Sequence, residues 1–412
     1  MLSLQDALAQ AHEALRPLYA RTRKRTDTVA VADGYGRVLA TAVRAPHDNP
    51  RYDVSAMDGY AVRSQDTHHP PTTLTLVGES KAGDTAARAI KKEQAMRIYT
   101  GAIMPKGADA VLIQENAECK GDAVMCPVAL APETFVRQKA SDYRKGQRLL
   151  ADSVVLDDRH IGLLASLNQS RLKVVAKPRI GVLSTGDELT PVGVPLASGR
   201  IVASTLPALL AFVEQQGGVA HDLGLVKDDT RALNATLQKA KAHCDCVVTT
   251  GGVSVGAYDV VARWIQDYQA RLIFNRVAVK PGKPTTLALM GALTGALKDG
   301  LPILGLPGNA VSALVCARLF LRPLMDGCLG VPSRDVWQSL PLAESLAANG
   351  QREHYMRGKL VQQGRAVRAW AEQDSALLAT LASSHVLIRR AAHAPVAKKG
   401  SHVDVMRLGC SI

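Results

Sequence analysis

Apolar side chains near the start of the chain fall at Leu4, Ala7, Leu8, Ala11, Leu15 and Leu18. That is the spacing of one helix face and predicts an amphipathic helix over residues 4–20. The run Arg21-Thr22-Arg23-Lys24-Arg25 that follows reads as a solvated basic turn. From Thr26 to about residue 177 the pattern changes to short β-branched runs, such as 73–78 and 110–113, broken by Gly, Pro, Asn and Asp. This predicts a mostly β region with one helix near 160–167.

A second change comes at Lys177-Pro178. Strands are predicted at 179–185, 219–226, 245–250, 271–279 and 301–306. Helices are predicted at 204–216, 258–268 and 311–325, with a further one opened by Asp228-Asp229-Thr230. Strand and helix alternate over about 150 residues, which predicts a doubly wound α/β domain with a mainly parallel sheet. After Arg322-Pro323 short strands return, at 354–360, 366–371, 386–390 and 402–408, and predict a small β barrel or sandwich. Three zones result: 1–177, mostly β, with an inserted β subdomain at about 47–146; 178–326, α/β; and 327–412, a small β barrel.

Composition narrows the possibilities. The 412 residues carry a net charge of +13 with only 4% aromatics. The charge favours an anionic partner. Too few aromatic rings are present for a platform that stacks bases, and no helix-turn-helix or zinc finger is readable, so nucleic acid is not the expected partner. No apolar run reaches the ~18 residues that cross a bilayer, and the first residues lack the layout of a signal peptide. The seven cysteines show no metal-binding spacing, and their odd number argues for reduced thiols. Cys244-Asp245-Cys246 reads as the start of a buried strand. A soluble cytoplasmic protein, with no membrane partner, is expected.

Polar and glycine-rich segments follow three of the predicted α/β strands. They are Thr185-Gly186-Asp187-Glu188-Leu189, Thr249-Thr250-Gly251-Gly252-Val253-Ser254-Val255-Gly256 and Leu306-Pro307-Gly308-Asn309. Ligands of open α/β sheets sit at the carboxyl ends of the strands, so these loops should converge. Gly251-Gly252 permits close backbone approach to a ligand, and successive N–H groups or a helix N-terminus favour phosphate. In Lys280-Pro281-Gly282-Lys283-Pro284 a stiff loop presents two lysines three apart, suited to a compact oxyanion. Asp58, Asp187, Glu188, Asp228, Asp229 and Asp259 are candidate acids. Beside a phosphate pocket such groups hold Mg²⁺, while Asp228 and Asp229 could equally cap the helix after them. In the β region, Asp53–Ala61, the Thr100-Gly101-Ala102 loop, and the loop holding Arg137 and Asp142 are polar interruptions.

Taken together, these segments resemble the molybdopterin molybdenumtransferase family. The matching stretches are Ser55-Ala56-Met57-Asp58-Gly59-Tyr60-Ala61, Thr100-Gly101-Ala102 with Gly107-Ala108-Asp109-Ala110-Val111, Ser184-Thr185-Gly186-Asp187-Glu188-Leu189, Gly251-Gly252-Val253-Ser254-Val255-Gly256, Lys280-Pro281-Gly282-Lys283-Pro284 and Gly305-Leu306-Pro307-Gly308-Asn309. They follow in family order over residues 1–326. The resemblance implies an enzyme that takes adenylylated molybdopterin and molybdate as substrates. With Mg²⁺ it would release AMP and place molybdenum on the dithiolene, giving molybdenum cofactor. It also implies an elongated homodimer, whose site lies between the α/β domain of one subunit and the N-terminal β region of the other. A transient contact with the molybdopterin adenylyltransferase is expected as well.

By the same resemblance, Asp58, Asp142, Glu188, Asp228, Asp259 and Thr100 are expected in catalysis, and Asp58, Asp187, Glu188, Asp228 and Asp259 as metal ligands. Gly251, Gly252, Ser254 and Pro307 are expected at the pterin phosphate, Lys280, Lys283 and Ser312 at molybdate, and Arg137, Arg352 and Ser375 at further oxyanion contacts. Three positions depart from the family pattern: Ala257 stands where an acid is common, Ala310 where proline is common, and Asp374 where a small residue is usual. Two other readings share parts of this pattern, a molybdopterin adenylyltransferase, which has the α/β domain alone, and a non-catalytic scaffold.

Overall fold

The helical spacing at the start of the chain produces a helix over Leu4–Lys24 in the computed structural model, which describes every residue except 85–87, 253–258, 292–299, 335 and 410–412. Ser3 caps it: its hydroxyl oxygen accepts the Asp6 backbone N–H at 3.1 Å, one of the donors that a first turn leaves open. Ala7, Ala11, Leu15 and Leu18 are buried as the pattern predicts. The helix nevertheless runs on through the segment expected to be a solvated turn. Thr22 is buried and donates to the Cys328 carbonyl at 3.0 Å, and Arg23 Nε donates to the Gly327 carbonyl at 3.1 Å. Arg25 pairs at 2.5 Å with Asp245, which Arg179 also reaches at 3.4 Å. Asp245 is 1% exposed. A carboxylate so deeply buried is costly unless paired, and this draws Arg25 inward, while Arg21, Arg23 and Lys24 remain exposed as expected. No local pattern reveals a partner 220 positions away.

The chain forms two compact units. One comprises Thr41–Asp152 and Gly162–Ser170. It is built on a six-stranded sheet in the order Ala110–Ile113, Gly59–Val62, Gln94–Ile98, Thr72–Ser80, Ala123–Cys126, Glu118–Lys120. Only Gln94–Ile98 and Thr72–Ser80 run parallel. Tyr60, Val62, Leu74, Ala95, Leu112 and Val124 form its core, so the β character expected of this stretch is observed.

The other unit comprises Met1–Ala40, Ser153–Ile161 and Arg171–Ile412. Its central sheet runs Val219–Val226, Arg179–Thr185, Cys246–Thr250, Leu301–Leu306, Thr286–Met290, Arg271–Phe274. The first four strands are parallel. Alternate strand residues face opposite sides. Ile180, Val182, Val248 and Leu304 pack with the helix Thr205–Gln215, while Leu183, Val247 and Ile303 pack with the helices Thr230–Ala240 and Val260–Asp267. Burial on both faces explains why these strands read as nearly continuous apolar runs.

Three elements differ from the sequence expectation. The strand expected over 271–279 ends at Phe274, and Val279 belongs instead to a separate strand, Val279–Lys280. Thr286–Met290 is a fully buried strand, antiparallel to Leu301–Leu306, where the sequence shows only the tail of a proline-rich loop. The helix expected to end near Met325 runs on to Leu329. It passes from Ala310–Cys316 through a wide π turn at Ala317–Leu321 into Arg322–Leu329, closed by Gly330 at φ +76°. Proline lacks the N–H that a regular helix would use, but at the start of this last segment the absence costs little.

The remaining strands form the barrel. Val279–Lys280, Glu353–Val361, Val386–Arg390, His402–Arg407 and Trp337–Pro341 are neighbours in that order, with Ala366–Ala369 on the outer side of Glu353–Val361. A bridge from Leu342 to Val367 closes the ring around Leu342, Val367, Val386, Ile388, Val403 and Val405. The strand holding Lys280 thus belongs to the barrel, although in sequence it lies within the α/β zone. Among the described residues no helix is long and apolar enough to cross a membrane.

Candidate functional site

Because the strands ending at Thr185, Thr250 and Leu306 are parallel neighbours, their following loops share one edge of the sheet. There they open onto a cavity of about 1230 Å³. Glu188, Asp228, Asp259, Gly251, Gly252, Pro307, Lys280, Lys283, Ser312, Arg352 and Ser375 all line it. These are eleven of the residues expected from sequence, gathered from positions almost 190 apart in the chain.

The backbone comes close at Gly251, which has φ +84° and whose Cβ, if it had one, would overlap the Thr185 carbonyl oxygen. No other residue type fits there without displacing that strand end. The hydroxyls beneath are tied together: Ser184 Oγ and Thr250 Oγ1 lie 2.7 Å apart. On the neighbouring turn, Asn309 donates through Nδ2 to Ser375 Oγ at 2.9 Å, joining the Pro-Gly-Asn turn to the barrel.

The acids divide by task. Asp229 accepts the N–H groups of Arg231 and Ala232 at 3.3 and 3.0 Å and caps the helix Thr230–Ala240. Asp228 is left to face the cavity, and its buried Oδ1 has no hydrogen-bond partner. Burial raises its pKa, and the charges of Asp187 and Glu188 push it in the same direction. Asp187 stands close enough to Asp228 for that effect but does not itself line the cavity. Asp259 does two things: it caps the helix Val260–Asp267 through the Ala262 N–H at 2.8 Å and still borders the cavity. Burial raises its pKa to about 6. Among the described residues no three His, Cys, Asp or Glu side chains are placed to hold a metal by themselves.

The cations come from the loop and the barrel. Lys280 and Lys283 flank Pro281-Gly282, and Arg352 donates to the Val279 carbonyl at 3.3 Å. His354 lies opposite Lys280 in the strand register and is 8% exposed. Burial, with the charges of Lys280, Arg352 and Arg357, lowers its pKa to about 4. An unfolded histidine titrates near 6.5. The unfolded chain therefore binds a proton that the native protein refuses between those values. Stability should fall as pH drops from about 6.5 to 4, by roughly 3 kcal/mol, and then level off. Melting temperatures across that window, compared for the native protein and His354→Gln, check this. Parallel curves for the two proteins would show that His354 is not the cause.

Four expected site residues lie in the other unit. Asp58 accepts both the N–H and the hydroxyl of Thr100, at 2.7 and 2.8 Å, and these bonds hold its pKa below the usual carboxylate range. Asp142 accepts from Asn49 Nδ2 at 2.8 Å, and Arg137 is exposed on the short strand Val136–Arg137. None of the described residues lining the cavity comes from this unit. Ser254 and Ala257 lie outside the described residues. Thr185, Thr250 and Asn309, which the sequence places in the converging loops without a role of their own, also line the cavity. Sequence reasoning missed Gln373, which sits in a barrel loop with no motif, and marked its neighbour Asp374 only as a departure from the family pattern, although both line the cavity.

The cavity at this sheet edge is thus lined by carboxylates, close-approaching glycines and the paired lysines. Comparisons with known proteins give the family. Residues 2–168 match the model described as MoeA N-terminal region (domain I and II), residues 181–327 that described as probable molybdopterin binding domain, and residues 339–408 that described as MoeA C-terminal region (domain IV). A molybdopterin molybdenumtransferase from Nostoc sp. is 38% identical over 341 residues, covering 81% of this chain and 77% of that one. Molybdopterin molybdenumtransferase 2 of Mycobacterium tuberculosis is 32% identical over 394 residues, 93% of each chain. The crystal structure of the molybdopterin biosynthesis MoeA protein from Pyrococcus horikosii superposes with a TM-score of 0.82 at 26% identity, covering 100% of both chains. The chain belongs to the molybdopterin molybdenumtransferase family.

Proposed function

We propose that this chain transfers molybdenum from molybdate to adenylylated molybdopterin and releases AMP. The observation that carries the reading is the meeting, in one cavity, of Glu188, Asp228 and Asp259 with Lys280, Lys283 and Ser312. One group suits a cation bridging to phosphate, the other a small oxyanion. Gly251, Gly252 and Pro307, with Ser254 assigned by motif, bind the pterin phosphate in this reading. Arg352 and Ser375 add an oxyanion contact from the barrel.

The acids fit Mg²⁺. A buried carboxylate oxygen at Asp228 lacks a partner, and Asp187 and Glu188 add negative charge beside it. Mg²⁺ commonly takes one or two carboxylates and completes its shell with water and substrate phosphate, so a cluster of three protein ligands is not required. Asp228 and Glu188 would hold it, with Asp187 and Asp259 close by. The ion would supply charge neutralisation on the pyrophosphate as it breaks.

Asp58, Thr100, Arg137 and Asp142 act, in this proposal, in a cytoplasmic homodimer, where they serve the cavity of the other copy. A short-lived contact with the adenylyltransferase would deliver substrate. The three zones of the chain then have separate tasks: 1–177 completes the partner's site, 178–326 binds the pterin and 327–412 frames the oxyanion loop.

The deciding experiment combines purified protein, adenylylated molybdopterin, Mg²⁺ and molybdate. AMP and active molybdenum cofactor are the expected products. AMP no higher than in an enzyme-free blank would overturn the proposal.

A further inference from the structure

We propose that Cys316 and Thr285, which do not line the cavity, are positioning residues that set the height of the Lys280-Pro281-Gly282-Lys283 loop and so bring its two ammonium groups and the Ser312 hydroxyl onto one small anion. The inference rests on reading Lys280 and Lys283 as the molybdate contacts.

The geometry is specific to this loop. Gly282 has φ +118°, and a Cβ at that position would overlap Cys316 Sγ. The sulfur fills the space that a side chain at 282 would take, so the loop rests directly on it. Thr285 donates through its hydroxyl to the Gly282 carbonyl at 2.7 Å and lies 3.4 Å from Cys316 Sγ. A hydroxyl has one proton to give. With that proton on Gly282, the thiol proton is left for Thr285 Oγ1 or for the Pro281 carbonyl, 3.9 Å from the sulfur. Both side chains are 0% exposed. Burial pushes the Cys316 thiol up to about 12, so it stays a neutral S–H donor at working pH.

The same helix joins the two halves of the arrangement. Ser312 and Cys316 stand four residues apart on Ala310–Cys316 and therefore share a face. Ser312 reaches the cavity and Cys316 supports the loop. The sulfur thus registers the helix against the loop, and the spacing between Ser312 and the lysines depends on its size. Thr285 closes the turn from the other end by holding the Gly282 carbonyl. Cysteine 316 is a support here, and no reactivity is assigned to it.

The test uses the full-length protein and measures molybdate binding by equilibrium dialysis, together with KM for molybdate and for adenylylated molybdopterin. Cys316→Ala and Thr285→Val should each raise the molybdate KM about tenfold, with kcat and the pterin KM within about twofold of native. Thr285→Ser, which keeps the hydroxyl, should restore native values. Cys316→Ser, slightly smaller at the same place, should fall between native and alanine. Lys280→Ala is measured beside them. If Lys280→Ala weakens molybdate binding and the Cys316 and Thr285 variants do not, the positioning role is wrong while the lysine assignment stands. If Lys280→Ala leaves molybdate binding unchanged, the lysine assignment itself is wrong. Equal rises in both KM values for the Cys316 and Thr285 variants would indicate general loosening and also overturn the inference. Should Cys316→Ala fail to fold, Cys316→Ser and the Thr285 pair decide the matter.

Discussion

Asp228→Asn is expected to give a protein that melts slightly higher than the native chain and turns over at least about a hundredfold more slowly. The two effects have one origin. The native carboxylate is partly buried, keeps one oxygen without a partner, and stands beside Asp187 and Glu188. In the ligand-free protein these are unfavourable terms, and burial and like charge both raise its pKa. Asparagine removes the charge while keeping an oxygen for the Asp187 backbone N–H that supports it. The melting temperature should rise on the order of 1–3 °C. If Asp228 holds Mg²⁺ as proposed, the same change removes a hard anionic ligand, which a neutral amide replaces poorly. Thermal melts and AMP release on one preparation check both halves. Native turnover in the variant would remove Asp228 from the site, and a lowered melting temperature would show that its burial is compensated.

Lys280→Ala carries the second large effect. The ammonium group leaves, while the backbone stays pinned, because residues 279 and 280 pair with the barrel strand at Glu353 and His354. The expected change is therefore in binding, with little in stability. A charge-assisted hydrogen bond of about 1.5–3 kcal/mol corresponds to a rise in molybdate KM of roughly ten- to a hundredfold. Adenylylated molybdopterin should be affected less. Parallel rises in the two KM values would mean that Lys280 holds the pterin phosphates instead.

Much of the α/β core was legible. Strands buried on both faces write themselves as apolar runs, and glycine or acidic residues at their ends announce a ligand edge. That is why the sequence brings the loops of Glu188, Gly251 and Pro307 to one edge. Three kinds of feature were not legible. The first is pairing at a distance: nothing near Arg25 shows that it turns inward, because its partner Asp245 lies 220 residues on. The second is sheet membership: nothing local shows that Val279–Lys280 pairs with the barrel, or that Thr286–Met290 inserts antiparallel beside Leu301–Leu306. The third is division of labour between neighbours. Asp228 and Asp229 are equivalent in sequence, and only the helix axis decides that Asp229 caps while Asp228 faces the cavity.

The weaving of Val279–Lys280 into the barrel has a consequence for how the protein can be divided. A protease cut or gene truncation near residue 331 would appear to detach a separable appendage. It would in fact take away the edge to which the lysine loop is stitched, along with Arg352 and Ser375. It would also strip Tyr355, Leu381, Leu387 and Met406 from the apolar core they share with the central sheet. On the proposed assignment, the carboxylates and glycine turns would stay with one fragment and the lysine loop would lose its support, so the division between the two reactants does not follow the division between the zones of the sequence.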